Sequence, residues 1–378
     1  MNQEIYFDNS ATTKPSESCV DAITNCLTYN FGNPSSLHSK GFNAEKITNN
    51  SKEIIANSLK VNKNEIYFTS GGTEANNLCV FGGIDANKRK GKKIVTTAIE
   101  HSSVLQPIKH LEKLGFEVVY LKPNSNNTIT LEQLVNSIDK NTIMVSMMYV
   151  NNETGVILPI DKVSKVIKSV NSPAIFHCDA VQAYGKIKIQ PKKLNIDLLS
   201  LSAHKIHGSS GIGAIYKKSG INLNPIIYGG EQESKIRPGT QATALIGGFG
   251  ACVNEIDYKV INHIKELKNY MVESLVNIED IEINSPKDSL PYIVNFSVLG
   301  IKSETLLHYL ASKNIYVSSG SACAKGKRSH VLSALGLPEK NINSAIRVSF
   351  SKHNTLEQVE YFITQIENAT KEIIRKNK

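Results

Sequence analysis

Lys205 and Asp179 are the two residues whose types and positions could support covalent chemistry. Lys205 closes the strand-like segment 199–205, and Asp179 ends the apolar run 174–179. Ligands of α/β sheets bind at the carboxyl ends of parallel strands, so this amine and this carboxylate would face one ligand. A lysine can form a Schiff base and a carboxylate can keep a pyridine nitrogen protonated, which is the pairing that pyridoxal phosphate (PLP) requires. The alternative is a solvated lysine beside an aspartate that caps a helix.

Two glycine-rich segments could bind phosphate. Residues 70–74, Ser-Gly-Gly-Thr-Glu, join a strand-like run to a helix predicted from Ala75. Backbone N–H groups and the helix dipole at such a junction favour a phosphate, although the same residues also suit an ordinary helix cap. The segment 208–213 has the spacing of a dinucleotide-binding motif, but a strand-like run follows it instead of a helix. We therefore interpret 208–213 as a tight turn.

Three histidines and one arginine complete the candidate residues of the sheet edge. His101 follows a strand-like run and could stack on a cofactor ring and transfer protons, although a lone histidine also commonly caps a helix. His204 and His207 have an i, i+3 spacing, but no third ligand is apparent, so we predict no metal. Arg347 lies within the apolar run 345–350, where its guanidinium needs an anion. That anion is either a substrate carboxylate or a partner in a structural ion pair.

The six cysteines do not form a recognisable framework. They are scattered without a C-x-x-C pair, which argues against disulfides and a zinc ribbon. Five stand among apolar residues and are predicted to be small core side chains: Cys19, Cys26, Cys79, Cys178 and Cys252. Cys323 instead stands among small residues, followed by Lys325, Lys327 and Arg328. Nearby cations lower the pKa of a thiol, so Cys323 is predicted to be a nucleophile.

Strand-like and helix-like segments alternate over the first 250 residues. The strand-like segments are 65–69, 93–96, 116–120, 142–146, 174–178 and 197–201. This βαβ pattern predicts a mainly parallel sheet covered by helices. After about residue 250 the pattern changes to helices at 258–276, 304–312 and 356–374 with a strand at 292–296, which predicts a smaller α+β domain.

The composition limits the classes of function. The 378 residues, 40% hydrophobic and 20% charged, predict a soluble globular protein of two domains. The sequence opens without a basic flank and apolar core, and no apolar run approaches the roughly 18 residues of a membrane span, so we predict a cytoplasmic protein without membrane contact. The net charge of +9 is spread along the chain without an RNA-binding or helix-turn-helix signature, and we predict no direct nucleic-acid contact.

In their order and spacing, these segments resemble the PLP-dependent cysteine desulfurases of the aminotransferase class V group. The resemblance covers nearly the whole chain, and the segments that carry it are 8–13, 31–36, 69–74, 100–101, 150–155, 177–182, 202–205, 237–240, 318–323 and Arg347. The form of 318–323 resembles the long-loop type. The resemblance implies PLP fold type I: a large domain at 14–250 with a mainly parallel seven-stranded sheet and helices on both faces, and a small α+β domain formed by 1–13 and 251–378.

The resemblance also implies roles for individual residues. Lys205 would hold PLP, Asp179 would pair with the pyridine nitrogen, and Gln182 would bind the ring hydroxyl. His101 would stack on the ring and assist proton transfer. The phosphate would be bound by Gly72, Thr73, Ser202 and His204, with Thr240 supplied by the partner subunit of a homodimer. The residues near the substrate would be Asn33, Asn152, which also contacts the cofactor, and Arg347, which would bind the carboxylate.

The implied reaction converts L-cysteine to L-alanine. Cys323 would attack the substrate sulfur and become a persulfide, which would pass to a protein acceptor, either an iron-sulfur scaffold or a tRNA-thiolating enzyme. One alternative is a selenocysteine lyase or another aminotransferase-like enzyme of class V, in which Cys323 would be dispensable. A second alternative, suggested only by the charge, is a non-catalytic RNA-binding or scaffold protein.

Overall fold

A seven-stranded sheet forms the centre of the structure, a computed structural model that describes residues 4–319 and 328–374. In chain order the strands are β1 (Ile5–Tyr6), β2 (Ile66–Thr69), β3 (Lys93–Thr97), β4 (Glu117–Leu121), β5 (Thr142–Ser146), β6 (Ile175–Asp179), β7 (Leu198–Ser202), β8 (Gly213–Lys217), β9 (Ile281–Ile283), β10 (Ile293–Val298), β11 (Ile315–Tyr316) and β12 (Ala345–Ser349). The order across the large sheet is β2-β8-β7-β6-β5-β3-β4.

Within this sheet only β8 runs against its neighbours. It is antiparallel to β2 and to β7, whereas β3, β4, β5, β6 and β7 pair in parallel. The prediction of a mainly parallel seven-stranded sheet is therefore confirmed. Each strand-like segment of the first 250 residues forms a strand whose ends differ by at most one residue from the predicted ones.

Both faces of the sheet are covered, and successive side chains of each strand point into opposite faces. Ile94 and Ile175 belong to one hydrophobic cluster, and their neighbours Val95 and Phe176 belong to the other. Every residue of β3, β5, β6 and β7 is buried. This double burial explains why the sequence of these strands is a continuous apolar run rather than an alternation.

The helices that flank the sheets have the following bounds: α1 (Glu17–Tyr29), α2 (Ser39–Leu59), α3 (Gly72–Asn77), α4 (Gly83–Asn87), α5 (Ser102–Lys113), α6 (Leu131–Ser137), α7 (Ile160–Ser169), α8 (Pro191–Leu194), α9 (Thr243–Asn254), α10 (Val260–Leu275), α11 (Ser303–Ala311), α12 (His330–Ala334), α13 (Glu339–Asn343) and α14 (Leu356–Ala369). A wider helical turn at Leu78–Gly82 joins α3 to α4. α2 was not predicted, because the buried side of that helix consists largely of small residues.

The remaining strands form two small sheets near the C-terminal part of the chain. β10 pairs antiparallel with β9 and β12, and β1 pairs parallel with β11. The predicted strand 292–296 and helices 258–276 and 304–312 correspond to β10, α10 and α11. The N-terminal segment thus packs with the C-terminal part, and its Ser10 carbonyl accepts a hydrogen bond from Lys205.

Two properties of the described residues bear on the function classes. Cys19, Cys26, Cys79, Cys178 and Cys252 are buried free thiols, as predicted, and burial raises the pKa of Cys79 to about 12. In the part of the chain that the structure describes, no helix is both long and apolar enough to cross a bilayer.

Candidate active site

The candidate residues converge at the carboxyl edge of the large sheet. Asp179 is the last residue of β6, and Lys205 lies in the turn that follows β7. His101 precedes α5, which follows β3, and Gly72 begins α3, which follows β2. Because these strands run in the same direction, their carboxyl ends meet at one edge, as the sequence predicted.

Asp179 is held by donors from two sides. Its Oδ2 accepts from Asn76 Nδ2 at 2.7 Å, and its Oδ1 accepts from the backbone N–H of Val181 at 2.9 Å. The residue is only 5% exposed. The same Asn76 amide donates to Ser103 Oγ at 2.8 Å, so α3, α5 and β6 are joined by one network. The carboxylate is therefore fixed in orientation rather than free in solvent.

His101 is the next member of that network. Its Nδ1 lies 2.7 Å from Ser103 Oγ and accepts from the Ser103 N–H at 3.2 Å. Burial lowers the pKa of His101, the Asp179 carboxylate opposes that shift, and the Lys205 ammonium adds to it. The ring is therefore neutral at neutral pH. Since Nδ1 accepts, the neutral ring carries its proton on Nε2, where it can donate a hydrogen bond.

Lys205 and Gln182 share an acceptor in the N-terminal segment. Lys205 Nζ donates to the carbonyl oxygens of Ser10 and Ala11, each at 2.6 Å. Gln182 Nε2 donates to the same Ser10 oxygen at 2.9 Å. The segment that carries Ser10 and Ala11 thus positions the lysine through its carbonyl groups. It lies more than 160 residues from Gln182 and Lys205 in the sequence.

The turn before α3 has the features of a phosphate seat. Gly71 has a φ of +150°, and open space lies where its side chain would be. A Cβ atom on Gly72 would lie 2.9 Å from Val181 Cγ2, so a larger residue there would displace Val181. Ser202 Oγ, nearby at the tip of β7, is buried without a hydrogen-bond partner among the described residues. A buried hydroxyl of this kind fits the phosphate of PLP.

Glu74 stabilises the same turn from its outer side. Its Oε2 accepts from the Ser70 N–H at 2.8 Å, and Arg237 Nε donates to its Oε1 at 2.8 Å. Burial opposes ionisation, but the bonds from Arg237 and Ser70 hold the pKa of Glu74 below its ordinary value. Glu74 therefore holds Ser70, the residue before the N-cap of α3, and it does not cap the helix N-terminus itself.

The other predicted phosphate ligands differ in their exposure to solvent. His204 Nδ1 is 3.2 Å from Thr12 Oγ1, and burial lowers the pKa of His204 to about 4. Thr73 and Thr240 are exposed. Thr240 makes no side-chain hydrogen bond with another described residue.

Arg347 makes the structural ion pair that the sequence left as one of two options. It is 2% exposed, and its Nη2 lies 2.7 Å from Asp8 Oδ1. Nη1 donates to Asn152 O at 3.0 Å, while Nε is buried without a partner among the described residues. Asn33 lies apart on an exposed turn, where its Oδ1 accepts from the Ser35 N–H.

Cys323 and the cations Lys325 and Lys327 lie outside the described residues. On one side of that segment, Ser318 exchanges backbone hydrogen bonds with Arg347. On the other side, His330 Nε2 lies 3.0 Å from the carbonyl oxygen of Glu100. Both flanks of the segment therefore contact strands or turns that carry candidate site residues.

Sequence reasoning missed Asn76 and Ser103. Both sit one helical turn or less from a residue that was selected, Asn76 after Thr73 and Ser103 after His101. Their side chains join to Asp179 and His101, but nothing in their local sequence distinguishes them from ordinary helix residues. The only available signal was their position in the first turns of helices that begin at the sheet edge.

The fold and the edge residues together define a class of protein. A mainly parallel seven-stranded sheet with a lysine after one strand, an acid at the tip of its neighbour and an open phosphate turn is the arrangement of PLP-dependent enzymes of fold type I. The residues present fit this cofactor, because the edge offers buried donors without partners and a cradle of glycines.

Comparisons with known proteins agree with this class. The family model described as aminotransferase class-V matches residues 5–362. The chain is 41% identical over 372 residues to the protein named cysteine desulfurase IscS of Clostridium botulinum, covering 96% of this chain and 93% of that one. A solved structure titled "NIFS-like protein" superposes with a TM-score of 0.92 at 35% identity, covering 98% and 100% of the two chains. A structure titled "SspA in complex with cysteine" has a TM-score of 0.81 at 31% identity, with coverages of 93% and 100%. The chain belongs to the aminotransferase class-V family of PLP-dependent enzymes.

Proposed function

We propose that this protein is a cysteine desulfurase, which converts L-cysteine to L-alanine and carries the released sulfur on Cys323 as a persulfide. The observation that carries the proposal is the convergence of Lys205, Asp179 and His101 at one sheet edge. The similarity to proteins named cysteine desulfurase supports the choice of substrate.

The residues that would hold PLP are the ones that surround the open edge. Lys205 would bind it through Nζ, Asp179 would pair with the pyridine nitrogen, and Gln182 would donate to the ring hydroxyl. The phosphate would be bound by Gly72, Thr73, Ser202 and His204, and Asn152 would contact the ring. When bound, PLP supplies an electron sink for the reacting carbon of the substrate.

His101 would stack on the ring and transfer protons. Its lowered pKa keeps the ring neutral at neutral pH, so Nε2–H can donate toward a ligand. The bond from Ser103 N–H to Nδ1 holds the ring in the tautomer that places the proton on Nε2. Asn76 connects this residue to Asp179, and it therefore keeps the two groups in a fixed relation.

Arg347 would bind the substrate carboxylate, with Asn152 and Asn33 contributing to substrate orientation. Asp8 and Asn152 each use one N–H of Arg347, and Nε is buried without a partner among the described residues. A guanidinium has five N–H donors in a planar fork, so it can hold an aspartate and still accept a second carboxylate. The ion pair with Asp8 fixes the fork in one orientation before the substrate arrives.

Cys323 would act as the sulfur acceptor. Its thiolate attacks the sulfur of the substrate, a new S–S bond forms, and the C–S bond breaks. The electron pair of the broken bond remains with the carbon, which takes up a proton and leaves as alanine. The persulfide would then pass to a protein acceptor, an iron-sulfur scaffold or a tRNA-thiolating enzyme, in the cytoplasm.

We also propose a homodimer in which Thr240 completes the phosphate site of the partner subunit. In support, Thr240 is exposed, and large apolar side chains are exposed along the segment from α1 to α2: Leu27, Tyr29, Phe31, Leu37 and Phe42. Exposed apolar side chains clustered in this way are typical of protein interfaces. The domain division at 14–250, with 1–13 and 251–378 as the second unit, is supported by the pairing of β1 with β11.

The proposal is tested by alanine formation from L-cysteine with and without Cys323. The wild-type protein reconstituted with PLP should form alanine, and Cys323→Ser should reduce this to the background rate. Cys26→Ser, in a buried cysteine of α1, is the matched control and should keep activity. Unchanged alanine formation in Cys323→Ser would favour the selenocysteine lyase alternative, and a protein that binds no PLP would refute the proposal.

A further inference from the structure

Lys186 has a buried amine that contacts Gln182, one of the residues proposed to hold PLP. The residue is 8% exposed, its Nζ donates to Gln182 Oε1 at 3.1 Å, and Nζ lies 5.7 Å from the centre of the Tyr292 ring. No carboxylate of the described residues forms an ion pair with it. Burial, together with the charges of Lys205 and Arg347, lowers the pKa of Lys186 to about 7. A buried lysine without a carboxylate is costly, and among the described residues its Nζ donates to the side chain of Gln182.

The local backbone directs Lys186 toward Gln182. The two residues are separated by four positions in the helical turns that follow β6. Gly185, immediately before Lys186, has a φ of +76°, and a Cβ atom there would lie 2.6 Å from Ile206 Cγ2. A left-handed residue at this close approach has to be glycine. This turn brings the lysine side chain back over Gln182.

The contact determines which end of the Gln182 amide faces the site. Lys186 Nζ donates to Oε1, so the amide oxygen of Gln182 faces Lys186. Nε2 is then turned the other way, where it donates to Ser10 O at 2.9 Å, the carbonyl that also accepts from Lys205 Nζ. Nε2 has a second N–H, for which no described residue provides an acceptor. That N–H is available to a ligand beside Lys205.

We propose that Lys186 is a positioning residue that fixes the orientation of the Gln182 amide, so that Nε2 presents a donor to the ring hydroxyl of PLP. The inference rests on the proposed function, because the contact between Gln182 and the ring hydroxyl belongs to it. The Ser10 carbonyl favours the same orientation through Nε2, and without Lys186 that bond alone would oppose rotation of the amide. A rotated amide would present its oxygen to the ring oxygen, which repels it instead of receiving a hydrogen bond.

The test is a double-substitution cycle with two measurements on purified protein: the dissociation constant of PLP and the pH midpoint of the visible absorbance of bound PLP. The variants are Lys186→Met, Gln182→Leu and the pair combined. Lys268→Met is the matched control, because Lys268 is also a buried lysine and its Nζ donates to Ser289 Oγ at 2.7 Å. Methionine keeps the unbranched apolar part of the side chain and removes the donor.

Lys186→Met should weaken PLP binding by about tenfold, the effect of losing one hydrogen bond in a buried site. It should also raise the pH midpoint of the absorbance by roughly one unit, because a donor to the ring oxygen favours its anionic form. The double variant should match Gln182→Leu alone, since Lys186 acts only through Gln182. Lys268→Met should change neither measurement, even if it lowers the stability of the protein.

Three outcomes would overturn the inference: an unchanged midpoint in Lys186→Met, additive effects in the double variant, or an equal shift in Lys268→Met. If Lys186→Met does not fold, Lys186→Gln replaces it, which removes the charge but keeps an N–H donor. A smaller shift in the same direction would support the inference, and no shift would overturn it. These failures differ from failure of the proposed function, in which the wild-type protein itself would show no PLP absorbance dependent on Lys205.

Discussion

Two buried polar regions of the molecule differ in how completely their hydrogen bonds are satisfied. In the three-stranded sheet, Asn284 Nδ2 donates to Asn295 Oδ1 and to Ser297 Oγ, each at 2.8 Å. At the carboxyl edge of the seven-stranded sheet, Ser202 Oγ and Asn76 Oδ1 are buried without a partner among the described residues. Buried polar atoms without partners cost free energy. The first region therefore stabilises the fold, whereas the second is arranged for a ligand.

The difference has a consequence for substitutions. Changes at the sheet edge should alter PLP binding or turnover more than folding, and changes in the asparagine network should do the reverse. Thermal or urea unfolding measures one property and the visible absorbance of bound PLP measures the other. A variant that changes both the unfolding transition and the absorbance of bound PLP would weaken the distinction between the two regions.

The largest effect is expected for Lys205→Ala. Turnover should be abolished and the visible absorbance of bound PLP lost, because no other lysine of the described residues lies at that strand tip. The variant also removes the bonds from Nζ to the carbonyl oxygens of Ser10 and Ala11, so the free energy of unfolding of the apoprotein is measured in parallel. Activity and absorbance retained in this variant would contradict the account of the site.

Asp179→Ala should leave PLP bound and slow turnover by roughly 100-fold, the effect of losing a charge-assisted hydrogen bond in a buried site. Asp197→Ala is the control, because Asp197 precedes β7 at the opposite end of the sheet and accepts from the Phe176 N–H at 3.0 Å. The control should lower stability without changing the rate per bound PLP. Equal rates in wild type and Asp179→Ala at saturating PLP would argue against the predicted role of Asp179.

Asn295→Ala should lower the free energy of unfolding by about 3 kcal/mol, because it leaves the Asn284 amide and the Glu153 carbonyl without this partner. Urea denaturation measures the loss, and the PLP absorbance should stay as in the wild type. Asn277→Ala, which removes an exposed contact to Glu273 O, should cost much less. A shift in the absorbance of Asn295→Ala would show that the two regions are coupled.

His177 should give the smallest effect, a change in the pH dependence of stability. Its ring bonds to Ser146 Oγ and Ser200 Oγ, and burial lowers its pKa to about 3. An unfolded histidine has a pKa of about 6.5. Below that pH the unfolded chain binds a proton that the folded protein does not bind. Stability is therefore lost as the pH falls from 6.5, by about 2 kcal/mol between pH 7 and pH 5.

The slope of stability against pH in His177→Gln checks this value. The variant should lose about 2 kcal/mol less than the wild type over the same interval, even though its stability at pH 7 is lower. His308→Gln, in an exposed histidine of α11, serves as the control and should keep the wild-type slope. An identical slope in His177→Gln would mean that the buried ring takes up a proton in the folded state.

The sequence predicted the strands of the large sheet and the residues at their ends more closely than the packing between helices. Strands buried on both faces are continuous apolar runs, and the polar residues that end them are therefore conspicuous. α2 was missed because it packs closely on α9 through small side chains: a Cβ atom on Gly250 would lie 2.7 Å from Ser51 Oγ. Such a contact has no apolar periodicity.

The polar partners were also beyond the reach of local patterns. Asn76 and Asp179 are separated by 103 residues, and Arg347 and Asp8 by 339. The sequence could state that Arg347 needs an anion, but only the fold supplies the aspartate. Lys186 was not selected at all, since its link to Gln182 depends on a left-handed glycine between them.

The most direct test of the central claim is the location of sulfur after a single turnover. The protein reconstituted with PLP is mixed with one equivalent of L-cysteine, and its thiols and persulfides are then trapped with an alkylating reagent. After digestion, the mass of the peptide that contains Cys323 is measured by mass spectrometry. The account predicts one additional sulfur atom on Cys323, formed together with one alanine, and none in Lys205→Ala. Alanine released while Cys323 stays unmodified, or sulfur found on one of the buried cysteines, would contradict it.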